Sequence, residues 1–143
     1  MALANRLRDQ KGNVFCLTSD GEWNEGSSWE SLIFANHHRL NLTLIVDLNG
    51  LQGFGSTADV ANLEPLAEKF RTFGWPTVEI DGHDMSALRA ALTPAEPGPR
   101  AVVAKTRKGC GVSFMEGKLE WHYLPMTADQ FAAALAEIES GGK

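Results

Sequence analysis

Residues 14–50 read VFCLTSDGEWNEGSSWESLIFANHHRLNLTLIVDLNG. A short apolar run, "VFCL", ends in an acid-rich turn. A stretch of helical period follows, then a second apolar run, "LTLIVD". Both runs are near-continuous in hydrophobicity rather than alternating, the pattern of parallel strands covered on two faces. The segment between them is long enough for one crossover helix. Its stripe of Trp29, Leu32, Ile33 and Asn36 predicts a helix from Asn24 to Leu40. One β-α-β unit is therefore legible here, with carboxylates at the end of its first strand and Asp47-Leu48-Asn49-Gly50 at the end of its second.

The same alternation continues downstream. Strands are expected at Val14–Leu17, Leu42–Asp47, Thr77–Ile80 and Ala101–Lys105. Asn62 is placed to cap the helix "LEPLAEKFRTF", with Leu63, Leu66, Phe70 and Phe73 inward and Gly74 closing it. Asp84 is placed to cap "MSALRAAL", and Thr127 with Gln130 forms a capping-box pattern before "FAAALAEI". "TPAEPGPR" (93–100) reads as a loop within the domain rather than a linker. The expectation is an α/β fold, a doubly wound and mostly parallel sheet with right-handed crossovers and helices on both faces.

With 143 residues the chain suits one domain, and 43% hydrophobic with 22% charged residues is a globular composition. A formal charge of −5 with no basic run argues against nucleic acid. No apolar stretch reaches membrane-spanning length, and the N-terminus lacks the apolar segment of a secretory signal. Cys16 and Cys110 read as reduced thiols of a cytoplasmic protein, with Cys16 in the core.

Ligands of open parallel sheets bind beyond the carboxyl ends of the strands. Asp20 and Asn49, 29 positions apart, fall at two such ends. One anionic and one neutral oxygen ligand suit a hard cation such as Mg²⁺, which keeps further positions for water and phosphate oxygens. Gly21 allows close backbone approach, and a helix start nearby offers free N–H groups to an anion. The plainer alternative is a turn whose acids, Glu22 and Glu25, merely favour a helix N-terminus. His37 and His38 read as packing or interface residues and His83 as a turn partner. Lys105, Arg107 and Lys108 form a basic cluster at a strand end that could attract a sugar phosphate or face water, with water the favoured reading.

The segments "SDGE-x-NEGSSWE…FANHHRL-NLTLIVDLNGLQ", "NLEPLAEKFRTFGW", "VEIDGHD" and "AKTRKGCGVSFMEGKLEWHY" together resemble the diphosphate-binding domain of transketolases. The resemblance spans nearly all of residues 1–143 and includes both ends of the family's thiamine diphosphate motif. It implies that Asp20 and the Asn49 side chain bind Mg²⁺, joined by the Leu51 carbonyl, and that Gly21 lies against the diphosphate. It also implies that Glu25 serves a subunit interface linking two active sites and that His122 contacts the diphosphate and the sugar. The implied activity is thiamine diphosphate- and Mg²⁺-dependent transfer of a two-carbon ketol unit from a ketose phosphate to an acceptor.

Three departures accompany the likeness. Ser19 replaces a motif glycine, Gly53 stands where many relatives carry a branched apolar residue, and "WHY" replaces "HG" around His122. The family's preceding segment and its pyrimidine-binding domain do not match any part of this sequence, so the domain reads as N-terminally incomplete. A pyrimidine-domain transketolase subunit is the expected partner, in a hetero-oligomer (a dimer of heterodimers) acting on a sugar phosphate. Two alternatives stay open: a C2-unit transferase delivering to a carrier protein in a biosynthetic pathway, and a non-catalytic truncated binding subunit.

Overall fold

A computed structural model describes residues 1–93 and 96–141. A short helix α1 (Ala2–Leu7) precedes β1 (Val14–Ser19), a 3₁₀ turn (Gly21–Asn24), α2 (Gly26–His37) and β2 (Leu42–Leu48). A small hairpin of β3 (Leu51–Gln52) and β4 (Gly55–Ser56) follows, then α3 (Thr57–Val60), α4 (Leu66–Thr72), β5 (Thr77–Asp81), α5 (Met85–Leu92) and β6 (Arg100–Lys105). A second 3₁₀ turn (Leu119–His122) and α6 (Ala128–Glu139) complete the order. Pro94 and Ala95, within the expected 93–100 loop, lie outside the described residues.

The four main strands pair in parallel in the order β1-β2-β6-β5. The chain steps from β1 to β2, crosses to the far edge at β5 and turns back to insert β6. That reversal is the topology of a doubly wound sheet, and it leaves the ends of β1 and β2 side by side. Register matches Leu44 with Ala101 and Val46 with Val103. These residues form one core face with Leu32 and Ala35 of α2, Leu66 and Phe70 of α4, and Trp23 and Trp75. The opposite face is also buried at Thr43, Val102 and Ala104.

Edge position alters what the sequence led us to expect for β1. The apolar runs of β2 and β6 are covered on both faces, but in β1 Phe15, Cys16 and Leu17 are exposed. Cys16 is therefore not core, because β1 has a neighbour on one side only and α2 covers its inner face incompletely. The crossover helix starts at Gly26 rather than Asn24 and ends at His37 rather than Leu40. Its inward stripe is Trp29, Leu32, Ala35 and Asn36, and Ile33 points to solvent at 56% exposure.

The cap of α4 also differs. Asn62 Oδ1 accepts from the Glu64 N–H at 2.9 Å, closing a turn before the helix, and the Glu64 carboxylate accepts the Leu66 N–H at 3.2 Å. Pro65 lies between them in extended backbone, so the helix begins only at Leu66. Gly74 ends the segment at φ +83°, and a side chain there would stand 2.5 Å from Asn36 Nδ2. Asp84 caps α5 through the Ser86 and Ala87 amides, and Thr127 and Gln130 form the reciprocal capping box of α6.

Candidate active site

The loops after β1 and β2 meet through one carboxylate. Asp20, 1% exposed, accepts N–H groups from Gly21 and from Gly50, each at 2.8 Å. Gly50 adopts φ +76°, a conformation that turns its amide toward Asp20 and that glycine reaches without strain. Asn49 closes the second loop, its Oδ1 accepting the Leu51 N–H at 3.0 Å. The Gly21–Asn24 turn is tied to the hairpin by a hydrogen bond that Asn24 Nδ2 donates to Gln52 Oε1 at 3.0 Å. Gly21 lies directly beneath Gln52, where an added Cβ would sit 3.3 Å from Gln52 Cβ.

Packing behind these loops keeps them in place. Trp23, on the same turn, donates its indole N–H to Thr18 Oγ1 at 3.1 Å and packs edge-on against Phe70 at 4.5 Å between ring centroids. Glu22 folds back onto the end of β1, accepting from the Ser19 N–H at 2.6 Å and the Ser19 hydroxyl at 3.1 Å. Its carboxylate thus serves the turn, as a helix-start acid would.

The result is an open cleft of about 660 Å³ beyond the carboxyl ends of β1 and β2. Asp20, Gly21, Glu25, Asn49, Leu51 and His122 line it, together with Lys108. All six residues singled out in the sequence therefore surround one space. Burial pushes the Asp20 carboxyl above the usual carboxylate range; the Gly50 and Gly21 amides pull it back, and the nearby Asp47 charge raises it further. Asp47 itself accepts from the Thr106 hydroxyl.

Charge balance around the cleft is uneven. Among the described residues, Asp20, Glu22, Glu25 and Asp47 contribute carboxylates and Lys108 the single Lys or Arg side chain. A bare anion would meet net repulsion here, whereas an anion carrying a divalent cation would not. Among the described residues no three His, Cys, Asp or Glu side chains gather as a metal cluster. A cation in this cleft would have to rely on Asp20, on neutral amide and carbonyl oxygens, and on its anion. That is the donor set of Mg²⁺ rather than of a thiolate- or imidazole-bound metal.

The basic cluster resolves into separate roles. Lys105 pairs with Glu79 at 2.8 Å and Arg107 pairs with Glu116, while Lys108 has no ion pair among the described residues and faces the cleft. For Lys108 the favoured water-facing reading gives way to its alternative, a charge placed at the ligand end of the sheet. Its position directly after β6, at the ligand-binding end of the sheet, was the available signal. His83 accepts the Arg107 N–H at 2.9 Å and so holds that loop, in line with a turn partner. His37 and His38 pack on each other and His38 packs on Phe34, outside the cleft lining.

Residues 5–139 match the family described as transketolase, thiamine diphosphate binding domain. The chain belongs to the transketolase family. It is 38% identical over 146 residues to a 6-deoxy-6-sulfo-D-fructose transketolase subunit of Clostridium sp. strain MSTE9, covering 99% of this chain and 53% of that protein. One of the apulose-4-phosphate transketolase subunits, from Actinobacillus succinogenes, is 37% identical over 142 residues, covering 97% and 51%. The chain thus spans about half the length of these relatives. Among solved structures, a transketolase of Campylobacter jejuni superposes with a TM-score of 0.81 at 27% identity, over 91% of this chain and 21% of that one. The cleft of this transketolase-family chain therefore lies in the family's cofactor-binding domain. No helix among the described residues is long and apolar enough to cross a membrane.

Proposed function

We propose that this chain forms the metal and diphosphate side of a thiamine diphosphate-dependent transketolase, working with a separate pyrimidine-domain subunit on a sugar phosphate. The observation that carries the reading is the meeting of Asp20 and Asn49 at the ends of two adjacent parallel strands. There a buried carboxylate and a side-chain amide oxygen border one cleft.

In this reading Asp20, the Asn49 amide oxygen and the Leu51 carbonyl hold Mg²⁺, and the metal offsets the carboxylates around it. The Gly21–Asn24 turn brings backbone N–H groups to the diphosphate, with Gly21 small enough for close approach. Lys108 adds a positive charge from the end of β6. The thiazolium ring of the bound cofactor supplies the carbon that carries a two-carbon ketol unit between sugars. His122, exposed on the Leu119–His122 turn, offers an imidazole nitrogen to give or take a proton at the substrate hydroxyls. Glu25, whose side chain makes no capping bond at the start of α2 among the described residues, is placed to meet a partner subunit.

The partner proposal draws on the relatives named as subunits, and a dimer of heterodimers is the assembly that would complete two sites. The test is recovery of this chain from its native extract with Mg²⁺ and thiamine diphosphate, identification of the chains that accompany it, and assay of the complex for ketol transfer. Transfer from a ketose phosphate to an aldose phosphate supports the reading. A complex that binds both cofactors but transfers only to a carrier protein would move the acceptor, and one without a pyrimidine-domain chain would contradict the reading.

A further inference from the structure

Tyr123 is the only tyrosine in the chain and directly follows His122. Its phenol donates a hydrogen bond to the Gly53 carbonyl oxygen at 2.8 Å. The ring stands edge-on to the His122 imidazole, 4.9 Å between centroids. Among the described residues this is the one side-chain hydrogen bond joining the hairpin region 49–56 to the segment 118–124. Gly53 does not adopt the left-handed conformation that would by itself demand glycine. A side chain there would have to displace Tyr123, whose ring is largely exposed. A Cβ on Gly53 would collide with the phenol oxygen, and it would lie 3.1 Å from Cζ and 3.8 Å from His122 Nε2.

We propose that Tyr123 is a positioning residue of the cleft: its phenol pins the Leu51–Gly53 backbone to the turn that carries His122, and Gly53 provides the space it needs. The two local departures from the family pattern, Gly53 and Tyr123, are then one feature. The inference rests on the cofactor reading of the cleft for its consequence, because Leu51 and His122 are the groups held in register. The clamp itself stands on the geometry alone.

The test is a substitution cycle with Gly53→Ala, Tyr123→Ala and the double variant, alongside Tyr123→Phe. Mg²⁺-dependent thiamine diphosphate affinity is read by calorimetry, and the single tyrosine by ¹³Cζ NMR of the unliganded chain. Each alanine variant is expected to weaken affinity by roughly tenfold, on the scale of one lost hydrogen bond and its packing. The double variant should match Tyr123→Ala alone, since without the phenol the added methyl meets no obstacle. Losses that multiply in the double variant would overturn the clamp. Tyr123→Phe keeps the ring and loses only the bond, and should weaken affinity a few-fold at unchanged melting temperature; unchanged affinity would count against the clamp. Gly53→Ala should also move the tyrosine resonance toward that of a free phenol, and an unmoved resonance would overturn the proposal whatever the cofactor does. If the resonance moves but the unaltered chain, complexed with a pyrimidine-domain subunit, binds no cofactor, the clamp stands and the reading of the cleft falls.

Discussion

The Gly50 N–H donates to Asp20 Oδ2 at 2.8 Å, so a single buried carboxylate holds together the loops that end β1 and β2. A buried acid that already receives two backbone amides is in place before any ligand arrives. Its remaining lone pairs are what a cation would use, and preorganisation of that kind reduces what binding must order.

Core packing beneath this junction sets the first expectation. Phe70 is fully buried and meets Trp23, which sits on the Asp20 turn. Phe70→Ala should cost ~3–5 kcal/mol of unfolding free energy. Chemical denaturation of both chains reads this directly. A loss under about 1 kcal/mol would mean that the site rests on other contacts.

Glu137 gives a pH dependence with a defined sign. Its carboxylate accepts from the Ser113 N–H at 2.6 Å and the Ser113 hydroxyl at 2.8 Å, and these bonds hold it below the ordinary carboxylate range. A depressed folded-state value means that the stabilisation is complete above the unfolded value of about 4.5 and is lost as pH falls through the lower, folded one. The protection of α6 amides, taken as the ratio of intrinsic to observed exchange rate at each pH, should therefore fall in acid in the unaltered chain. In Glu137→Gln that protection should already be low at neutral pH and change less.

His122→Ala should lower turnover of the assembled enzyme by about 10²–10⁴-fold while changing cofactor affinity little, the pattern of a proton-transfer group. Steady-state kinetics and calorimetry on the same preparations separate the two effects. Weakened binding with preserved turnover would make His122 an anchor only.

Lys108→Gln should weaken binding of the Mg²⁺-loaded cofactor by roughly tenfold and reduce the dependence of affinity on salt, since one charge facing the diphosphate is lost. Titrations at two ionic strengths show it. Lys105→Gln, whose charge is paired with Glu79, should change affinity far less.

Much of this was legible from periodicity and spacing. The four strands were placed to within two residues because continuous β-branched runs have few other readings. The caps Asp84 and Thr127 were placed correctly because capping chemistry is local. Ile33, Asn62 and Cys16 were misread for one shared reason: local pattern does not say which strand lies at an edge or how far a cap sits from its helix. Asp20 and Asn49 were visible as cleft residues because ligand clefts of open parallel sheets open beyond strand ends. Lys108 was not, since separating it from Lys105 and Arg107 needed their partners Glu79 and Glu116, which lie 26 and 9 positions away. The Gly53–Tyr123 contact spans 70 positions, and only the folded chain joins its halves.

The most direct measurement is calorimetric titration of thiamine diphosphate with and without Mg²⁺ into this chain, complexed with a pyrimidine-domain subunit, and into its Asp20→Ala variant. Binding that requires Mg²⁺ in the unaltered chain and falls by about a hundredfold or more in the variant is the expected result, on the scale of a lost charged ligand. Equal affinity in both would remove Asp20 from the site and, with it, the metal and diphosphate role of the cleft.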